Sequence, residues 1–275
     1  MGITRFDQIY HQLPGPQKTA GSVAPYAGLP MSNVELYSKY SCWFWNPIHS
    51  DDFPAATDGP GADFTVTVTG TTPAASMSAD LVPGRLIVTI SAADNDSLEA
   101  QYAASTGIGE AFNLLAGKKR YFETSILLTD ANDDADTVEQ IDWFVGYCIR
   151  DTTVIDGATD FIGFHSADGS GLINFVAGKN AGTSGALVDD IVQSTGVTLV
   201  AANAGTAAAN FTKLAFLADG VDTVYVWAND AHVATVSSTT ELPDDENMCL
   251  TIAVQNGEAV AKIAHFGHFT TLVER

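Results

Sequence analysis

The stretch Thr223-Val-Tyr-Val-Trp-Ala-Asn-Asp-Ala-His-Val-Ala-Thr-Val236 decides the fold. In its first half Val224, Val226 and Ala228 fall on one face, and Tyr225 and Trp227 fall on the other, the period-two alternation of a β-strand. Both faces are partly apolar, so the strand is central. Asn229-Asp230 supplies a tight reversal into 232–236, giving a two-strand hairpin with an accessible polar tip. Tyr225 and Trp227 read either as a stacking platform on a concave sheet or as packing against a neighbouring subunit or arm.

Working outward, short alternating or β-branched runs bounded by Gly, Asn and Asp recur from Asp52 to the end. They predict strands at 64–69, 85–90, 121–128, 143–150, 160–165, 172–177, 211–217, 232–236, 250–255 and 261–269. That density is what a two-sheet sandwich requires. Helix signals are confined to the Ala-rich stretches 97–105 and 204–210, the second of which equally reads as a loop. Residues 1–50 differ: Pro14, Gly15, Pro16, Pro25, Gly28 and Pro30 interrupt any periodicity, and the segment reads as an extended arm ahead of a domain over 51–275. The arm ends in Cys42, Trp43, Phe44 and Trp45, too apolar to be left in water. Trp43, Phe44 and Trp45, with Tyr26 and Tyr10, are therefore the candidate partner-binding residues. Docking of the arm or burial between subunits explains the cluster better than sugar stacking.

Composition narrows the classes. The chain has 275 residues, 46% hydrophobic and 16% charged, with a formal charge of -21. It has the makings of a core, and its acidity excludes nucleic acid as a direct partner, because phosphate binding relies on clustered Lys and Arg. The one basic run, Lys118-Lys119-Arg120, reads as a solvated strand edge. The acidic surplus suits solubility, halotolerance or docking onto a basic surface. No stretch approaches the roughly 18 apolar residues of a membrane span. Nor does the N-terminus carry a secretory signal pattern, so membrane partnership is not expected. Cys42, Cys148 and Cys249 are distant in sequence and lack any metal-type spacing, which predicts free, buried thiols made in a reducing cytoplasm.

From residue 160 the chain resembles the concanavalin A-like (laminin G-like, glucanase-like) jelly-roll superfamily. The resemblance is carried by Asp160-Phe-Ile-Gly-Phe, Leu172-Ile-Asn-Phe, Phe211-Thr-Lys-Leu-Ala-Phe-Leu-Ala-Asp-Gly, the hairpin above, Glu241-Leu-Pro-Asp-Asp-Glu and Leu250-Thr-Ile-Ala-Val-Gln. Ile263-Ala-His-Phe-Gly-His-Phe-Thr looks like that fold's last strand, returning beside the first. Upstream, Ser91-Ala-Ala-Asp-Asn-Asp-Ser-Leu-Glu and Lys119-Arg-Tyr-Phe-Glu-Thr-Ser-Ile-Leu-Leu are similar to jelly-roll proteins in the virions of tailed bacteriophages. The resemblance implies a virion structural protein, a capsid decoration or cement protein held by its arm and sheet edges. It would be made in the host cytoplasm and partnered by the major capsid protein or other virion proteins, as a homo-oligomer, with a trimer one form. The alternative is a carbohydrate-binding module of a tail fibre or virion surface.

Catalytic patterns are weak. Glucanases of this superfamily need two carboxylates on one face of a strand about 5 Å apart. Glu139 and Asp142, the nearest pair here, are three residues apart and point to opposite sides. No catalytic residues are assigned, and an enzyme is not expected. Asp130, Asn132, Asp134 and Asp136 alternate through one acidic loop and are candidate calcium ligands. Ala135 and Ile141 break the EF-hand pattern, so a solvated loop is the plainer reading and no cofactor is expected. His165, His232, His265 and His268 show no metal-ligand spacing.

Overall fold

The computed structural model describes residues 40–45, 59–60, 64–70, 73–77, 86–102, 112–130, 138–180, 187, 191–199 and 211–274. Two antiparallel sheets face one another. The nine-stranded sheet runs β14 (Ala231–Ser237), β13 (Thr223–Ala228), β12 (Thr212–Asp219), β7 (Lys119–Asp130), β16 (Lys262–Phe266), β5 (Leu86–Ile90) and β4 (Ala74–Met77). β17 (Phe269–Glu274) also pairs with β7 and carries β1 (Tyr40–Trp45) on its other side. The eight-stranded sheet runs β11 (Ile191–Thr198), β10 (Leu172–Gly178), β9 (Phe161–Ser166), β8 (Ile141–Cys148), β15 (Cys249–Asn256), β6 (Ser97–Tyr102), β3 (Phe64–Thr69) and β2 (Gly59–Pro60). This is the two-sheet sandwich that the strand pattern predicts and the jelly roll that the resemblance implies.

Alternation decides which side chains meet between the sheets. On β7, Phe122, Ile126 and Leu128 enter the core, while Tyr121, Glu123 and Leu127 occupy the outer face. Phe216 of β12 lies at the junction of the two layers. Its ring meets Phe122 from its own sheet at 5.4 Å, and Phe164 and Phe175 from the other at 6.2 and 5.7 Å. Aromatic packing of this kind adds to the burial of area that holds the layers together. β8 and β9 pack without side chains at one point: Gly146 pairs with Gly163, and a methyl group on either would run into the opposite strand's backbone.

Two readings are corrected, and two features that the sequence did not show are added. Ser97–Tyr102 is not helix but strand β6, hydrogen-bonded on both sides to β3 and β15. Leu98 and Ala100 are worth more buried in the core than their helix propensity costs. The run 261–269 is two strands, because the chain breaks at Gly267 and His268. It switches from pairing with β5 and β7 to pairing with β7 and β1. β11 goes unpredicted, since Gln193, Ser194, Thr195 and Gly196 interrupt its apolar pattern. Finally, the sheet takes in part of the segment read as arm: Tyr40 to Trp45 pair in register with Glu274 to Phe269.

A second, smaller cluster lies on the outside of the eight-stranded sheet. Phe144, Cys148, Phe161, Val176 and Ala253 are covered there by Val154 and Ile155 of a four-residue helix, α1 (Val154–Gly157). The turn into α1 is set by Asp151, whose Oδ1 accepts from the Thr153 N–H at 3.0 Å. The Asp151 N–H in turn donates to Gln101 Oε1 of β6 at 3.0 Å.

Candidate functional site

The outer face of the nine-stranded sheet gathers the chemistry. Across it, Trp227 of β13 lies in register with Ala215 of β12, Ala215 with Glu123 of β7, and Glu123 with Thr270 of β17. Glu123 is buried at 3% exposure and carries three donors. Tyr121 gives its hydroxyl to Oε2 at 2.6 Å, Lys213 Nζ sits 3.1 Å from Oε2, and His268 Nε2 lies 2.9 Å from Oε1. Burial pushes the Glu123 carboxyl up, but the His268 hydrogen bond, the Lys213 charge and the Tyr121 hydroxyl outweigh it and hold it below the usual carboxylate range. A carboxylate so held stays ionised and is a poor proton donor near neutral pH.

The hairpin tip positions the cation. Asn229 and Asp230 both take left-handed φ, 50° and 63°, as the two central residues of a type I′ turn do. The turn is clipped to β12: the Asn229 N–H donates to the Lys213 carbonyl at 2.8 Å, and Asn229 Oδ1 accepts from the Lys213 N–H at 3.0 Å. Asp230 Oδ1 then holds Lys213 Nζ at 2.8 Å, so one ammonium bridges a buried carboxylate and an exposed one.

Beside this cluster, Tyr225, Trp227 and His232 form an aromatic group. Ring centroids are 6.3 Å apart for Tyr225–Trp227 and 5.6 Å for Trp227–His232. Trp227 is 6% exposed, so the open platform read from the alternation is corrected: its indole is packed, and Tyr225 and His232 are the rings left at the surface. The indole N–H of Trp227 is buried without a hydrogen-bond partner.

The remaining predicted residues fall elsewhere. Trp43, Phe44 and Trp45 contribute backbone pairing to β17, opposite Thr271, Thr270 and Phe269. Their side chains, and all of Tyr10 and Tyr26, lie outside the described residues. So do Asn132, Asp134, Asp136 and the side chain of Asp130, whose backbone ends β7 opposite Lys262. Glu139 sits in a 3-10 turn ahead of β8, and Asp142 Oδ1 is bonded to His165 Nε2 at 2.8 Å. Among the described residues no group of three or more His, Cys, Asp or Glu is arranged to hold a metal ion. No described helix is long and apolar enough to cross a membrane.

The fold recurs in solved structures. An endo-1,3-β-glucanase from Streptomyces sioyaensis is 10% identical, with 86% of this chain and 97% of the glucanase aligned at a TM-score of 0.52. Arcelin-5, a lectin-like defense protein from Phaseolus vulgaris, is 9% identical over 86% of this chain and 98% of its own, at a TM-score of 0.50. The chain has the concanavalin A-like jelly-roll fold. At these identities the likeness is one of architecture alone. No protein-family model matches the sequence, and no curated protein matches it.

Proposed function

We propose that this protein is a non-catalytic carbohydrate-binding module of a virion surface or tail fibre, taking saccharide on the outer face of its nine-stranded sheet. The observation that supports this most is the rim around Glu123. There the Lys213 ammonium, the Asp230 carboxylate and the His268 imidazole stand partly exposed, on the same sheet face whose outer strands carry the surface rings of Tyr225 and His232. Directional donors and acceptors next to a flat ring are what sugar hydroxyls and the apolar face of a pyranose require. The depressed Glu123 carboxyl is unsuited to the general-acid role of a glycosidase, which needs its proton held, not shed.

The test is a glycan array probed with the purified chain, with Lys213→Ala and Tyr225→Ala as controls. Binding that both substitutions abolish, in variants that melt like the parent, supports the reading. Binding unaffected by either overturns it, as does turnover of a β-glucan. Repeating the array in chelator asks whether the Asp130–Asp136 loop holds calcium.

A second reading, a capsid decoration or cement protein, is favoured by β1. Its strand, drawn from the N-terminal segment, is added along β17 through six registered residue pairs, the manner in which sheet edges join proteins together. Removing residues 1–45, β1 included, and imaging particles for the chain tests it; attachment that survives the deletion overturns a role for that segment. Sedimentation of the intact chain measures whether it is a trimer.

A further inference from the structure

The sequence keeps Cys148 and Cys249 far apart, but the fold places them face to face. Cys148 ends β8, Cys249 begins β15, and the two are register partners in the antiparallel ladder. Residues directly opposite in such a ladder share one face of the sheet, with Cβ atoms about 4.5–5.5 Å apart. Their Cα atoms, about 4.5 or 5.5 Å apart according to the kind of pair, fall within the roughly 4.4–6.8 Å that a disulfide spans. The Cys249 side chain leans the required way: its Sγ lies 3.5 Å from the backbone carbonyl oxygen of Cys148. Both are fully buried thiols that form no disulfide in the folded chain. Because each stands at a strand end, the small approach needed to close a bond strains no continuing ladder between these two strands.

We propose that Cys148 and Cys249 are a latent cross-strand disulfide, a modification site that closes when the chain meets a low-molecular-weight disulfide of the glutathione class. The thiolate of one cysteine attacks a sulfur of the oxidant, forming a mixed disulfide and releasing one glutathione thiolate, which takes up the proton the cysteine lost. The second cysteine then attacks the protein sulfur of the mixed disulfide and expels the other glutathione. Two protein thiols lose two electrons and two protons, and one oxidised glutathione becomes two reduced ones.

The surroundings explain why the pair stays open in the folded reduced chain. Burial, with Cys249, Asp151, Glu99 and Asp160 nearby, pushes the Cys148 thiol well up, so little reactive thiolate exists. Val154 and Ile155 of α1 close over the same cluster. Closure therefore proceeds before the chain has folded or when the segment from Asp151 to Ala158 opens. The third cysteine, Cys42, belongs to β1 in the other sheet, opposite Leu272, and is no register partner of either.

The experiment refolds the full chain in oxidised and reduced glutathione, so that access to the buried thiols does not limit the outcome. Free thiols are then alkylated in denaturant and the peptides mapped. The expected product is lighter by two hydrogen atoms, links the Cys148 peptide to the Cys249 peptide and carries alkylated Cys42. It melts cooperatively, at a higher temperature than the reduced chain, and dithiothreitol reverses the shift. Cys42→Ser should keep the link; Cys249→Ser should lose it and leave Cys148 alkylated. Alkylation of both Cys148 and Cys249 after oxidative refolding overturns the proposal. So does a link from either of them to Cys42, or a linked chain that no longer melts cooperatively.

Discussion

Replacing Glu99 with glutamine should make the protein more stable, and increasingly so as pH rises. Glu99 lies on β6, on the outer side of the eight-stranded sheet, at 4% exposure, and its Oε2 has no hydrogen-bond partner. Burial first, then the charge of Asp151 and that of Asp156, push its carboxyl up from 4.5 to about 8, against the opposing hydrogen bond from the Val154 N–H. The folded chain thus binds this proton more tightly than the unfolded chain does. The stability so conferred is whole below pH 4.5 and drains away as pH climbs to about 8, where the native group at last ionises. With each tenfold change in proton affinity worth about 1.4 kcal/mol, the full swing is about 5 kcal/mol. That is a large share of the roughly 5–15 kcal/mol by which a domain is held folded. Glutamine keeps the shape and cannot titrate. Urea unfolding of parent and Glu99→Gln at about pH 5, 7 and 9 should give midpoints that nearly coincide at the lowest value and diverge steadily above it, the variant being the more resistant. Parallel curves across that range would refute the reasoning, because they would mean Glu99 releases its proton in the folded protein as readily as in the unfolded one.

Glu123 should behave in the opposite sense. Its depressed carboxyl contributes stability that is present above its unfolded value and lost as pH falls through the folded one, so acid unfolding of Glu123→Gln should be less steep than that of the parent. Gly163→Ala should destabilise by about 1–3 kcal/mol in a thermal melt, because its methyl meets the Val145 carbonyl and the Gly146 Cα with no flexible side chain to yield. Phe216→Ala, which empties the junction of five aromatic rings from both sheets, should cost about 3–5 kcal/mol by denaturant unfolding.

How far the sequence carried depends on where each signal is encoded. The hairpin from Thr223 was legible because alternation and turn chemistry lie within a few neighbouring residues, and β13 has the bounds read from it. β6 was not, because Leu98, Glu99, Ala100 and Gln101 are good helix formers and only pairing on both sides makes them a strand. The Tyr225–Trp227 pair showed itself through its i, i+2 spacing, but the packing that closes over Trp227 did not. Glu123 drew no notice as a lone acid in an apolar run. What distinguishes it arrives from Lys213 and His268, on strands and turns that register alone brings together. The cysteine pair hid for the same reason, its members lying 101 residues apart.

β7 has consequences for how this chain is made. One of its flanks is completed by β12, which starts at Thr212, and the other by β16 and β17, which start at Lys262 and Phe269. On the ribosome, Lys119–Asp130 therefore emerges with both sets of backbone amides and carbonyls unanswered, and waits for segments not yet translated. Stickiness of the nascent polypeptide should peak in that interval and fall once 262–274 have emerged and slot in beside it.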